Sequence, residues 1–504
     1  MNNFSAKKNF LYNVVYQMLI LIIPLITAPY LSRIVGATGV GIYSYTYSIV
    51  YYFMLLTMLG VNNYGNRTIA KVRSNKENLS KNFWGIYLFQ LFMGLIMLLF
   101  YFLYLCLFNI EYKNIAIIQS LFIVSAILDI NWLFFGLEEF KKTITRNTIV
   151  KVSNVLLIFL FVKTKNDLWK YTLIMSGMTC IGQIILWTYA KKKISVVKIK
   201  MNDILKHIKP NLILFIPVIA ISLYKMMDKI MLGILTSVIE VGFYENAEKL
   251  VSIPTTIITA LGTVMLPRIS NIISNGEYEK IEKYISKSIN FVMFMSFPMC
   301  FGLISIGYNF APLYFGAEFQ KTGILVMMLA TTLPFLSFAN VLRTQYLIPN
   351  EMDKIYIISV SLGAISNLVM NFIFIPKLES IGACIGTIVA EAIVMIYQTY
   401  SLRKKLPIKK YIKEINQFFA KSIVMLLFIY PLNFTELKPF IKLLLQILIG
   451  VICYLLLNRK YILSLLDFNK IINKLHIRSK KEYILNDIDN DGVEDVIAIA
   501  DEKK

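Results

Sequence analysis

Histidine is nearly missing from this 504-residue chain, which has two, and cysteine is scarce at five. His207 and His476 lie far apart in separate basic segments, and no GxSxG, HExxH or P-loop signature occurs. Histidine-based acid–base or nucleophilic catalysis therefore has no constellation to draw on, and no enzyme is expected. Cys106, Cys180, Cys300, Cys384 and Cys453 all fall in apolar runs without CxxC spacing. That excludes a disulfide framework or thiolate metal site and leaves packing. Charge is thin as well, with 16% of residues charged, against the ~25% of soluble domains. Acids are scarcer than bases, 30 against 52, so the formal net charge is +22. The first apolar run, 10–34, is too long for a cleavable signal peptide and lacks a small-residue cleavage site.

What the chain has in abundance is apolar surface, at 57% of residues. About fourteen runs approach or exceed the ~20 residues needed to cross a bilayer. They lie near 10–34, 42–61, 84–107, 115–137, 147–162, 171–189, 211–233, 246–267, 289–313, 323–347, 355–375, 381–400, 418–432 and 441–457. The fifth and thirteenth are the weakest, being short or interrupted by Lys151 and Lys421. The fold class expected is an all-α polytopic membrane protein. Basic loops (AKVRSNKENLSKN, FKKTITRN, AKKKISVVKIKMNDILKHIK, LRKKLPIKKYIKE) alternate with lightly charged connections such as GATGVG, GAEFQ and PKLES. The positive-inside rule puts the basic set, and both termini, in the cytoplasm; KTKNDLWK (163–170) is the exception. Most of the positive charge then serves topology and attraction to anionic lipid headgroups, with no nucleic-acid partner.

The chain also repeats itself. VGIYSYTYSIV (40–50) resembles VGFYENAEKLV (241–251), and 241 − 40 gives an offset of 201, which aligns Arg67 with Arg268. An even number of spans per repeat keeps the two copies parallel, and transporters commonly place a substrate cavity between such halves. The expected organisation is two pseudo-symmetric six-helix lobes, 1–205 and 206–400, two additional helices in 401–460, and a cytoplasmic tail, 461–504.

The stretches KNFLYNVVYQMLILIIPLITAPYLSRIVGATGVGIYSY, GVNNYGNRTIAKVR and LRTQYLIPNEMDKIY resemble the Wzx-type polysaccharide repeat-unit flippases. These belong to the superfamily of multidrug, oligosaccharidyl-lipid and polysaccharide exporters. The resemblance covers residues 5–460, with YGNR and QYLIPNEMDK its most specific parts. It implies a two-lobed helical protein of a bacterial cell membrane, moving undecaprenyl-pyrophosphate-linked oligosaccharide from the cytoplasmic to the outer leaflet. It also implies a cationic cavity, drive from an H⁺ or Na⁺ gradient, and a polymerase and glycosyltransferases of the same pathway as partners.

Charges inside the apolar runs converge on such a site, because ionisable groups in a membrane usually face a cavity or a partner. Lys225, Asp228 and Lys229 in the seventh run are spaced i, i+3, i+4 and share one helical face, with a surplus of one positive charge suited to a phosphate. A structural ion pair is the blander reading. Arg33, near one end of the first run, and Arg343, before Pro349, can bind an anion or mark an interface. Arg67 follows an amide-rich segment (Asn62, Asn63, Asn66) in which Gly65 is expected to loosen the helix, and Arg268 follows Pro267. Both can meet a pyrophosphate at the cavity mouth or serve as topology signals. Asp129 and Glu391 lie deep in their runs, and with Asp228 they are candidate ion-coupling carboxylates. Tyr43, Tyr64 and Tyr244 are candidates for stacking on sugars.

In the tail, Asp487, Asp489, Asp491 and Asp495 with Gly492 match DxDxDGxxD, a Ca²⁺-loop spacing, but the twelfth position is Ala498 instead of Glu. A solvated acidic tail is the plainer reading. Two rival functions remain. A drug or cation antiporter of the same fold would carry a surplus of cavity acids. A membrane-embedded polymerase or glycosyltransferase would show a long external loop or acidic catalytic motif.

Overall fold

The computed structural model describes residues 3–108, 111–274 and 278–465. The side chains of 3–21, 216, 217, 220, 221, 224, 225, 263, 264, 267, 274 and 278–280 are outside that description. The acidic tail with Asp487, Asp489, Asp491 and Asp495, and the side chain of Lys225, thus lie outside the described residues.

Among the described residues the regular elements are all helical. The first half comprises α1 (Asn3–Met58), α2 (Val61–Val72), α3 (Lys76–Leu107), α4 (Lys113–Ile127), α5 (Asn131–Gly136), α6 (Phe140–Phe161), α7 (Leu168–Ala190) and α8 (Met201–Leu205). Then come α9 (Ile208–Leu235), α10 (Val238–Ser274), α11 (Tyr278–Phe315), α12 (Gln320–Ala330), α13 (Thr332–Leu342), α14 (Asp353–Leu378) and α15 (Ser380–Leu402). The last two are α16 (Ile408–Ile429) and α17 (Pro439–Leu457). Eleven stretches of described helix are long and apolar enough to cross a membrane. The protein is an all-α, multi-pass membrane protein. Large apolar side chains such as Phe92, Leu107, Phe372, Leu427 and Phe440 stand exposed on its surface, as a bilayer requires.

The apolar runs lie in these helices, but their ends and breaks follow local chemistry. α1 holds the first two runs and bends at Gly36, whose φ of 71° favours glycine. The fifth and thirteenth runs, weak by hydropathy, are extended backwards by polar residues into the 22-residue helices α6 and α16. FKKTITRN is accordingly no loop: α6 starts at Phe140, and Arg146 is buried. The helix does not loosen at Gly65 either. The break falls at Leu59 and Gly60, both at positive φ, and α2 continues through Gly65 with Val61, Gly65 and Ile69 buried one turn apart. Gly65 is there because the Trp132 indole lies where a Cβ would sit, 2.7 Å from its Cε3. Between α4 and α5 the freed carbonyls of Ala126, Ile127 and Asp129 accept from the Gln90 amide at 2.7, 3.2 and 2.9 Å.

α1 and α10 cross where two glycines leave no side chain between them. A Cβ on Gly41 would overlap the carbonyl oxygen of Val238, and one on Gly242 would overlap that of Ala37. The positions are reciprocal, since Ala37 and Val238, like Gly41 and Gly242, are 201 residues apart. Ser44 donates to Glu245, also 201 residues on, at 2.6 Å, and Asn246 donates to Ser32 at 2.8 Å. At the same end of the bundle the amide of Ala37, freed by the Gly36 bend, donates to Glu318 at 2.8 Å. Lys321 joins Glu240, at 2.7 Å, to Glu379. Hydrogen bonding to Lys321 holds the Glu379 carboxyl below its ordinary value despite some burial. α16 and α17 pack on α11, where the Tyr454 hydroxyl donates to the Phe294 carbonyl at 2.9 Å.

Candidate functional site

The densest charged cluster is held by α9, α10, α14 and α15. On α9, Asp228 and Lys229 are adjacent and both buried, so their side chains diverge. Asp228 accepts from Asn371 (2.6 Å, α14), Tyr244 (2.7 Å, α10) and Thr387 (2.8 Å, α15). The donors that the described residues supply to Asp228 are all uncharged. Asn371 also donates to Asn367 at 3.1 Å, and its amide fits because residue 386 is glycine, whose Cβ would overlap it. Lys229 turns to α10 and bridges Glu245 at 2.6 Å and Glu248 at 2.7 Å, while Lys249 reaches Glu245 at 3.2 Å.

This arrangement differs from the one-face expectation. Glu245 and Glu248 bring two negative charges and Lys249 one positive charge to Lys229, so the surplus of one positive charge read from α9 is offset. Reading α9 alone gave one positive, because the acids that answer Lys229 lie on the next helix. Their signal was present in the sequence: Glu245, Glu248 and Lys249 are spaced i, i+3, i+4 at the edge of an apolar run.

A second buried node forms where α4 breaks into α5. Asp129 accepts from the backbone and side chain of Asn131 at 2.8 and 2.6 Å, and Asn131 accepts from Arg146 at 2.5 Å. Trp132 donates to Gln90 at 3.1 Å. Arg146, 6% exposed, is the residue that sequence reasoning missed, because it stands in a string that reads as a basic loop. Glu391 on α15 is buried in the core.

The remaining cations are dispersed. Arg33 is exposed near the Gly36 bend, where it donates to the Leu313 carbonyl at 2.7 Å. It stands at the edge of an apolar cavity of about 730 Å³ walled by Ile26, Tyr30, Phe310 and Leu443. Arg67 is exposed on the polar face of α2. Arg268 is exposed too; it donates to the Tyr284 hydroxyl at 2.9 Å and lies over that ring at 4.7 Å. Arg343 opens a π-helical turn, Arg343–Leu347, and donates to Asn340 at 2.6 Å. Of the candidate tyrosines, Tyr244 is committed to Asp228 and Tyr64 shares a hydrogen bond with His207 Nδ1 at 2.7 Å. Burial, with Lys206 adding, pushes the His207 imidazole down to about 4. Outside the helices, burial raises the Glu139 carboxyl, but hydrogen bonds from Lys142 and Lys193 outweigh it and hold it below its ordinary value. No group of three or more His, Cys, Asp or Glu that could hold a metal occurs among the described residues.

Residues 6–273, more than half of the chain, match the family described as "Polysaccharide biosynthesis protein". The chain belongs to that family. This member is 23% identical over 407 residues to the "Putative O-antigen transporter" of Escherichia coli (strain K12), covering 78% of this chain and 95% of the relative. It is 28% identical over 181 residues to "Lipid II flippase MurJ" of Thermosipho africanus, covering 34% and 36%. In structure it resembles a MurJ lipid II flippase in an inward closed conformation, with a TM-score of 0.76 at 18% identity, covering 91% of this chain and all (100%) of the other. A multidrug MATE transporter in an inward-facing conformation follows at TM-score 0.58 and 13% identity, covering 78% and 99%. These two likenesses establish the shared fold, and the resemblance drawn from the YGNR and QYLIPNEMDK stretches is borne out.

Proposed function

We propose that this family member is a flippase that carries undecaprenyl-pyrophosphate-linked oligosaccharide repeat units from the cytoplasmic to the outer leaflet of a bacterial cell membrane. Its product serves capsule, exopolysaccharide or O-antigen assembly, alongside a polymerase and glycosyltransferases. The observation that carries this reading is the likeness to an O-antigen transporter across 78% of the chain, on a fold shared with a lipid II flippase. In mechanism, lobes 1–205 and 206–400 rock about the α1–α10 crossing, with 401–460 as two further helices, so that the cavity opens alternately to each side. Both termini and the 461–504 tail face the cytoplasm, which puts the Gly36, Glu318 and Lys321 end outside. Support for this orientation comes from the basic strings near Lys76 and Lys193 at the opposite end.

Arg67 and Arg268 grip the pyrophosphate at the cytoplasmic mouth, supported by their exposure and by the bidentate geometry of guanidinium with phosphate. Lys225, Arg33 and Arg343 are the further candidates for positive charge along the path, whereas Lys229 is taken up by Glu245 and Glu248. Coupling to an H⁺ or Na⁺ gradient runs through Asp228. Its hydrogen-bond donors among the described residues are uncharged, and Tyr244, Thr387, Asn367 and Asn371 carry oxygen atoms as well as protons. The same shell can therefore accept a protonated carboxyl or a sodium ion. Glu391 and Asp129 are the other coupling candidates.

The test is the appearance of lipid-linked repeat units in the outer leaflet, with membrane abundance measured in parallel. Arg67→Ala, Arg268→Ala and Asp228→Asn should each lower flipping at least about ten-fold without loss of protein, a cost within that of one charge-assisted hydrogen bond. Arg67→Lys should be partly active. Full activity of both alanine variants reduces Arg67 and Arg268 to topology signals, and full activity of Asp228→Asn moves coupling to Glu391 or Asp129.

A further inference from the structure

Beyond the bend of α1, three tyrosines recur at the helical repeat. Tyr43, Tyr47 and Tyr51 occupy i, i+4 and i+8, with ring centroids 6.0 Å apart in the first pair, where the rings are stacked, and 6.4 Å in the second. The ladder runs for about 12 Å along the helix at 1.5 Å per residue, starting next to the Gly41 crossing. Its position around α1 is distinctive. The helix turns Ala37, Gly41 and Ser44 to α10, while Tyr43 and Tyr47 rest edge-on against Tyr171 of α7 and Phe122 of α4, at 4.7 and 5.1 Å. The tyrosines therefore occupy the flank of α1 between its α10 contact and its packing against α4 and α7. Tyr43 and Tyr47 are within electrostatic reach of Glu245 on α10, and Tyr47 also of Lys229 on α9.

Two features set this ladder apart from tyrosines used for packing. All three side chains are only half-buried, although they stand in the middle of a helical bundle. None of their hydroxyls has a hydrogen-bond partner among the described residues, and none is an orphaned atom sealed from the surface. The hydroxyls of Tyr52, Tyr101 and Tyr244 are by contrast committed to Ser222, Ala116 and Asp228. An aromatic face carries partial negative charge and suits the electropositive C–H face of a pyranose, while a free phenol can exchange hydrogen bonds with sugar hydroxyls. A run of such faces at one-turn spacing fits consecutive rings of a saccharide better than it fits a lipid chain, which needs no hydroxyls, or a phosphate, which needs cations.

We propose that Tyr43, Tyr47 and Tyr51 form a carbohydrate-binding ladder on which the sugar rings of the lipid-linked glycan stack during passage, an inference that rests on the flippase reading. The ladder recognises the sugar portion; Arg67 and Arg268 recognise the pyrophosphate.

The test uses the full-length protein in nanodiscs and two probes: undecaprenyl pyrophosphate, and the undecaprenyl-pyrophosphate-linked oligosaccharide purified from cells that express this protein. Wild-type protein should bind the glycosylated lipid more tightly. Tyr47→Leu combined with Tyr51→Leu should weaken its binding at least about ten-fold, while binding of the bare lipid stays within about two-fold and so reports intact folding. The matching phenylalanine variants keep the rings and should retain most of the preference. Should the leucine variants keep the full preference, or lose both probes equally while the phenylalanine variants lose neither, the ladder is structural and the flippase reading stands. Failure of wild-type protein to bind either probe would remove both.

Discussion

Single residues in this protein do work that their neighbours conceal. His207 stands in a basic string, yet it is buried at the start of α9, bonded to Tyr64, with Nε2 unpaired. An imidazole pushed down to about 4 by burial stays neutral in the fold at pH 7. The unfolded chain, with an ordinary histidine near 6.5, binds a proton that the folded chain refuses as the pH falls from about 6.5 to about 4. Stability from this site is therefore fully present above pH ~6.5 and drains away across that window. Melting temperature in detergent should fall between pH 7 and pH 5, and His207→Gln should flatten that dependence. A slope unchanged by the substitution would place the titration elsewhere. Nothing in the one-dimensional string shows this burial, because Tyr64 is 143 positions away. Lys229 gives the same lesson. Its own helix advertised a phosphate site, while Glu245 and Glu248, a helix away, occupy its ammonium group.

At the scale of elements, apolar run length located the helices and left their breaks unread. α2 is the clearest case. Its glycine reads as a point of weakness, yet Gly65 is a contact surface for Trp132, and the real interruption is at Leu59 and Gly60. Gly65→Ala would drive a methyl group into the indole, and overpacking of this kind costs about 1–3 kcal/mol. The substitution should lower the melting temperature and detach α2 from α5, although alanine is the better helix former. An unchanged or raised melting temperature would show that Trp132 yields freely. α6 and α16 illustrate the converse: hydropathy cut them short at their polar starts, 140–146 and 408–417, and Lys421, inside the apolar run, is accommodated by reaching Asn458 at 3.2 Å.

For the whole molecule, the 201-residue offset was legible in the sequence and recurs in the Gly41–Gly242 contact, whereas the helical start of α6 in FKKTITRN and the pairing of charges between helices were not. Orientation is directly testable. Single cysteines at Lys76 and Lys193 should escape an impermeant thiol reagent applied to intact cells, and one at Glu318 should be labelled, given a cysteine-free background. Labelling at Lys193 from outside would invert the molecule and move the Gly36 end to the cytoplasm. Transport and topology are separate questions here, since an inverted flippase could still bind the same lipid.

The crossing of α1 and α10 has one more consequence. Residue 41 faces the backbone of 238 just as 242 faces the backbone of 37, which is how two identical chains meet around a dyad. A contact of that isologous kind is self-complementary before any divergence of sequence. Three residues along, Ser44 and Glu245 are the equivalent pair, and because they differ one donates and the other accepts, so the seam is symmetric in its backbone and polar in its side chains.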